Sequence, residues 1–108
     1  MTKAKAKQTM TLTREEERTV FALQLLGDKT RFKLFKLLLS DNELCVTEIA
    51  EELGVTPSAV SQHFKNFELL GLVDKERVGQ RMCYLLRNEA LTNQLKEFVV
   101  QHSADEKE

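Results

Sequence analysis

Four residues, Gly54-Val55-Thr56-Pro57, constrain the fold of this chain more tightly than any other stretch. Glycine ends a helix by entering the left-handed region, a threonine hydroxyl caps the next one, and proline fits the first helical turn, where its missing N–H costs nothing. Two short helices must therefore meet at a tight turn. Upstream, Ile49, Ala50 and Leu53 give the apolar side of a helix beginning at Thr47. Downstream, the helix runs to about Leu70 and stops at Gly71. At about 100° per residue, Val60, Phe64 and Phe67 share one arc and form its buried face, while Ser58, Ser61, Gln62 and Lys65 fall opposite.

The flanking segments follow the same logic. Thr13 with Glu16 matches a capping box ahead of Val20, Phe21, Leu23, Leu25 and Leu26, so a helix spans about 14–26 and stops at Gly27. Asp28 caps a second helix, in which Phe32, Phe35 and Leu39 recur beside Leu34 and Leu38, and Lys29, Arg31, Lys33 and Lys36 form a basic stripe. Ser40, Asp41 and Asn42 break it, and Leu44-Cys45-Val46 reads as extended. Leu72 to Val78 and Arg81 to Leu86 read as strands joined at Gly79-Gln80. From Asn88 onward, Leu91, Leu95, Phe98 and Val99 return to helical spacing. The expected architecture is mainly α with a small antiparallel sheet, in the order α-α-β-α-α-β-β-α, which is that of a winged helix-turn-helix. Residues 1–13 read as a basic flexible tail, 14–102 as the winged helix-turn-helix domain with its terminal helices, and 103–108 as a charged tail.

Charge matters because a winged helix-turn-helix predicts a polyanionic partner, and the formal net charge is only −1. The charges are segmented, however. Residues 1–14 carry four basic groups and no acid, and residues 56–87 carry five basic groups against three acidic ones. Residues 15–55 and 88–108 hold the compensating acids. No apolar run approaches the roughly 20 residues of a membrane span, and the N-terminus lacks the apolar core of a signal peptide, so no membrane partner and a cytoplasmic location are expected.

A helix about 12 Å across enters the major groove, where hydroxyl, amide and cationic side chains read base edges. The residues expected to contact double-stranded DNA are Ser58, Ser61, Gln62 and Lys65 on the second helix, and Thr56, Ser58 and Ala59 at its N-terminus, where backbone amides favour a phosphate. Arg77, Gln80 and Arg81 at the hairpin tip would follow the adjacent backbone or minor groove. No phosphate-cradling glycine loop, His-Glu-x-x-His helix or nucleophile elbow is present, so an enzyme is not expected. The rival is a winged helix used as a protein-interaction module, which would carry hydrophobic residues where this chain keeps polar ones. His63, beside the buried ridge, reads as a packed side chain and His102 as a solvated one.

The runs Glu43 to Ala50, Leu53 to Phe64 and Leu70 to Val73, with Gly27 to Arg31 and the wing residues Gly79 to Leu86, resemble the arsenic-repressor (ArsR/SmtB-type) family over about residues 15–100. The resemblance implies a homodimeric repressor that binds an inverted-repeat operator, its first and last helices forming the dimer interface. Val20, Leu23, Leu91, Leu95 and Phe98 are the residues expected there. It also implies places for metal sites, which this chain does not fill. A Cys-Val-Cys run becomes Cys45-Val46-Thr47, and the ligand positions of the last helix become Asn88, Ala90, Gln101 and Ala104, so no metal ligand and no cofactor are expected and the inducer stays open. Cys45 and Cys83 fall on strands that neighbour each other in winged helices. The bland reading is two reduced, partly buried thiols; the sharper one is a thiol sensor, either a redox disulfide or a shared soft-metal site.

Overall fold

The computed structural model describes residues 9–40 and 44–103. The tail lysines Lys3, Lys5 and Lys7, the helix-breaking Asp41 and Asn42, and Ala104 with the rest of the charged tail lie outside the described residues.

The first helix, α1 (Arg14–Leu26), opens with a reciprocal cap. Thr13 Oγ1 accepts from the Glu16 amide at 3.0 Å, and the Glu16 carboxylate accepts from the Thr13 amide at 2.9 Å. In α2 (Lys29–Leu39) the Asp28 carboxylate accepts from the Arg31 amide at 3.0 Å. That hydrogen bond, with the nearby charges of Arg31 and His63, holds the Asp28 carboxyl below its ordinary value despite partial desolvation. There follow β1 (Leu44–Cys45), α3 (Val46–Leu53), α4 (Pro57–Leu69), β2 (Val73–Val78), β3 (Arg81–Leu86) and α5 (Ala90–Gln101). The antiparallel sheet has the order β1-β3-β2, so β3 is central and the two-residue β1 joins the hairpin to the start of α3.

Three element starts differ from the sequence expectation. Val46 is the first residue of α3 rather than the end of an extended run, because the Glu48 carboxylate reaches back to the Cys45 amide at 3.0 Å and makes Cys45 the cap, while Val46 turns into the core. Leu72 belongs to the turn rather than to β2, since its amide closes the end of α4 on the Phe67 carbonyl at 3.0 Å. Finally, α5 begins at Ala90, because Glu89 caps it through the Thr92 amide at 2.7 Å and the Thr92 hydroxyl at 2.6 Å.

The core is organised by α4. Its Val60, Phe64 and Phe67 are fully buried. Phe67 lies 6.2 Å from Phe35 of α2 and 5.9 Å from Phe64, which stacks on Tyr84 of β3 at 3.9 Å between ring centroids. Each such side chain contributes about 1.5–3 kcal/mol on leaving water, and the chain of rings fixes α4 against both the helical layer and the hairpin. Arg18 of α1 locks the far end, donating to the Leu70 carbonyl at 3.1 Å through Nε and lying 3.4 Å from the Glu89 carboxylate. Among the described residues no helix is long and apolar enough to cross a membrane.

Candidate nucleic-acid interface

The turn that presents α4 depends on Gly54, which ends α3 at φ +68°. A side chain is strained in that conformation, and glycine is not. The Val55 amide then bonds the Ala50 carbonyl at 3.0 Å, completing the helix end. Two residues later Thr56 Oγ1 accepts from the Ala59 amide at 3.1 Å, and Pro57 starts the helix. With its inner face buried, α4 turns Ser58, Ser61, Gln62 and Lys65 outward at i, i+3, i+4 and i+7, a single straight stripe of exposed side chains. Thr56 is exposed beside them, whereas Ala59 is half-buried.

An open groove runs between this stripe and the sheet, with Lys75, Met82 and Tyr84 on its far side. Glu68 lies at its floor. Its Oε2 is buried and 3.3 Å from Lys75 Nζ, an ion pair without hydrogen-bond geometry. Burial, reinforced by the Glu68 carboxylate, pushes the Tyr84 hydroxyl up to about 12, so it stays protonated. Glu68 thus offsets the charge of Lys75, leaving Lys65 as the groove's outward cation.

The hairpin tip carries Arg77, Gln80 and Arg81, all exposed. Gly79, at φ +68°, makes the two-residue reversal possible. The two arginines are not equivalent. Arg81 Nη2 lies 3.1 Å from Glu48 Oε2, whereas Arg77 and Lys65 have no ion pair among the described residues. Glu48 is held below its ordinary value by the Cys45 amide first, against some desolvation, and then by the Arg81 charge. Sequence reasoning missed Glu48. The signal was its position three residues after Cys45, the capping-box spacing with an unusual cap residue.

Cys45 and Cys83 are directly opposed in the β1–β3 ladder and are joined in a disulfide. In this state they are not the reduced pair that the bland reading expected, and they offer no thiolate to a metal. Among the described residues no group of three or more His, Cys, Asp or Glu comes together as a metal site. At a position where the resemblance implies a ligand, the Asn88 side chain accepts from Asn93 at 3.0 Å.

On the terminal helices the expected dimer residues divide. Val20, Leu23 and Phe98 are exposed, and Phe21 and Val100 join them. Leu95 is a correction: at 6% exposure it is a core residue, and Leu91 packs partly against the same core. Both lie on the arc of α5 shared with Val99, which faces inward. His102 is exposed but rests against the Phe98 ring at 4.4 Å between centroids.

Residues 28–75, from the cap of α2 into β2, match the family described as "Bacterial regulatory protein, arsR family". The putative arsenical resistance operon repressor ArsR of Halobacterium salinarum is 33% identical over 78 residues, covering 69% of this chain and 60% of its own length. The chain belongs to the arsR family. Within it, the cadmium resistance transcriptional regulatory protein CadC of Listeria innocua is 30% identical over 70 residues, 65% of this chain, and the match spans only 59% of that regulator's length. Among solved structures, HlyU from Vibrio cholerae superimposes with a TM-score of 0.73 at 23% identity, covering 84% of this chain and 98% of HlyU. At that identity the likeness shows a shared fold over most of the chain.

Proposed function

We propose that this arsR-family chain is a sequence-specific transcriptional repressor that binds an inverted-repeat operator as a homodimer. The observation that carries the reading is the outward stripe Ser58, Ser61, Gln62 and Lys65 on a helix whose other face is wholly buried. Hydroxyl, amide and ammonium groups at that spacing suit base edges and phosphates in a major groove. The wing cation Arg77 alternates onto the groove face with Lys75 and pairs with Met82, where the neighbouring backbone would pass, while Arg81 is exposed at the hairpin tip on the other face of β3. A protein-interaction module is disfavoured because Ser58, Ser61, Gln62 and Lys65 are all polar, and the outward face of α4 exposes a large apolar side chain only at its last residue, Leu69. A regulator rather than a catalyst also accords with the printed roles of the relatives, and the family's homodimeric members suggest the symmetric use of the exposed α1 and α5 faces.

A dimer of this kind places two α4 helices about one DNA turn, roughly 34–36 Å, apart. The test is selection of duplexes from a random pool followed by titration at several salt concentrations. Enriched inverted repeats and an affinity that falls steeply with salt support the reading. Salt-insensitive association, or none with any duplex, overturns it.

A further inference from the structure

We propose that Glu68 is a specificity-determining residue: it neutralises Lys75 and closes the floor of the groove between α4 and the hairpin to phosphate, so that a DNA backbone is held only at the rim. The inference rests on the DNA-binding reading above and names for it a residue of the wrong charge for a phosphate. On α4, Glu68 follows Lys65 by three positions and Ser61 by seven, so it continues the outward stripe by one turn and ends it with a carboxylate. Ser58, Ser61, Gln62 and Lys65 form one wall of the groove, and Lys75, Met82 and Tyr84 form the other. Lys75 is directly opposite Tyr84 in the β2–β3 ladder, and the Tyr84 ring is fixed by its stack on Phe64, so the cation stands on a rigid wall. Glu68 Oε2 is buried, lacks a hydrogen-bond partner and lies 3.3 Å from Lys75 Nζ.

Lys65 of α4 and Lys75 and Arg77 of β2 are the cations that face this groove, and among the described residues Lys75 alone of them is in an ion pair. Lys65 and Arg77 are exposed, whereas Glu68 is half-buried beneath them. A phosphate that settles to the floor meets a carboxylate with one oxygen out of water, where its charge is screened less than at the surface. Lys75 gives that phosphate no net attraction, because its own charge is already matched. The penalty falls unequally on two kinds of complex. Association with an arbitrary duplex draws almost wholly on phosphate contacts, so it takes whichever seat brings most cations to the backbone. Association with the preferred site is fixed by base contacts along Ser58, Ser61 and Gln62, and the backbone then passes the rim cations without entering the groove. A repulsive element of this kind discriminates by penalising the wrong complexes rather than by strengthening the right one.

The experiment uses the full chain and two fluorescent duplexes, one enriched from a random pool by the unmodified protein and one of scrambled sequence, each titrated at several salt concentrations. Glu68→Gln keeps the shape of the side chain and removes its charge. It is expected to bind the scrambled duplex on the order of fivefold more tightly with a salt slope larger by about one, and the enriched duplex less than about twofold more tightly, so that the ratio of the two affinities falls. Equal gains on both duplexes overturn the specificity role, as does no gain on either. A merely structural Glu68 would change the unfolding midpoint and leave that ratio where it was. In the Glu68→Gln background, Lys75→Met is expected to cancel the gain in slope, because the freed ammonium is what the scrambled duplex gains. Alone, Lys75→Met is expected to keep the salt slope of the unmodified chain; loss of about one from that slope would mean that Lys75 holds a phosphate despite Glu68, and overturns the proposal. Lys75 is half-exposed, so this arm decides the question even where Glu68→Gln does not fold. Failure of the unmodified chain to bind any duplex overturns the DNA reading, and this inference with it.

Discussion

The helices α4 and α5 are of nearly equal length, and each buries one face, yet their exposed sides differ. Val60, Phe64 and Phe67 of α4 go inward, and the stripe from Ser58 to Lys65 meets water as hydroxyls, an amide and a cation. Thr92, Leu95 and Val99 of α5 go inward, and its outer side exposes Phe98 and Val100 among the polar Asn93, Gln94 and Glu97, while α1 exposes Val20, Phe21 and Leu23. A polar face costs nothing while it waits for a polyanion. An apolar face forfeits about 25 cal/mol per Å² for as long as it stays in water, so its natural complement is another apolar face. The contrast teaches that the inward pattern alone, which both helices share, says little about function. The outward chemistry separates a DNA-reading helix from one suited to meeting a second copy.

The largest expected effect comes from an inward residue. Phe64→Ala removes both the ring stack on Tyr84 and the contact with Phe67, and should cost about 3–5 kcal/mol in urea unfolding. Phe98→Ala, on the exposed side of α5, should cost the isolated subunit far less. Equal losses would show that the two faces are not as different as their burial indicates. Next in size is Phe98→Glu, which places a charge in the proposed apolar contact. It should halve the sedimenting mass and weaken operator binding on the order of a hundredfold through loss of the second half-site; unchanged mass would remove α5 from the interface. Within α4, Gln62→Ala should relax base preference at one operator position by about 1–3 kcal/mol. Lys65→Ala should instead weaken binding to all sequences and lower the salt slope by about one. If the two substitutions behave alike, the stripe does not read bases.

Much of this contrast is legible in the sequence, and the illegible part has identifiable causes. The arc of Val60, Phe64 and Phe67 contains no polar residue, so periodicity assigns the inward face of α4 without ambiguity. In α5 the residues Leu91, Leu95, Phe98 and Val99 span about 100°, the width of an ordinary core-facing stripe, and periodicity does not say which edge turns inward. The packing decides: Leu95 and Val99 go to the core and Phe98 does not. The helical start at Val46 was hidden because Leu-Cys-Val is typical of a strand and cysteine is not a usual cap. The opposition of Cys45 and Cys83 was visible from alternation along two neighbouring strands, whereas the Glu48–Arg81 pair spans elements whose mutual register no local pattern contains. The same holds for Arg18, whose partners Leu70 and Glu89 are remote in sequence.

The joint between the two helices supplies the smallest and most specific test. Glu89 caps α5 and faces Arg18, which in turn holds the last carbonyl of the α4 turn. Burial works to raise the Glu89 carboxyl, but hydrogen bonds from the Thr92 hydroxyl and amide and the Arg18 charge outweigh it and hold the group below its ordinary value of 4.5. A carboxyl lowered on folding adds stability that is complete above its unfolded value and disappears as pH falls through the folded one. Stability should therefore be level above about pH 5 and decline below it. Glu89→Gln retains a capping oxygen but no charge, so it should cost about 1 kcal/mol at neutral pH and much less in acid. The decline would be shallower but not abolished, because Asp28 and Glu48 are also held low. Urea unfolding of both proteins between neutrality and pH 3 decides the matter: parallel curves would mean that the joint is held by packing alone, and convergence toward low pH would mean that the Glu89 charge helps to hold the end of α4 to the start of α5.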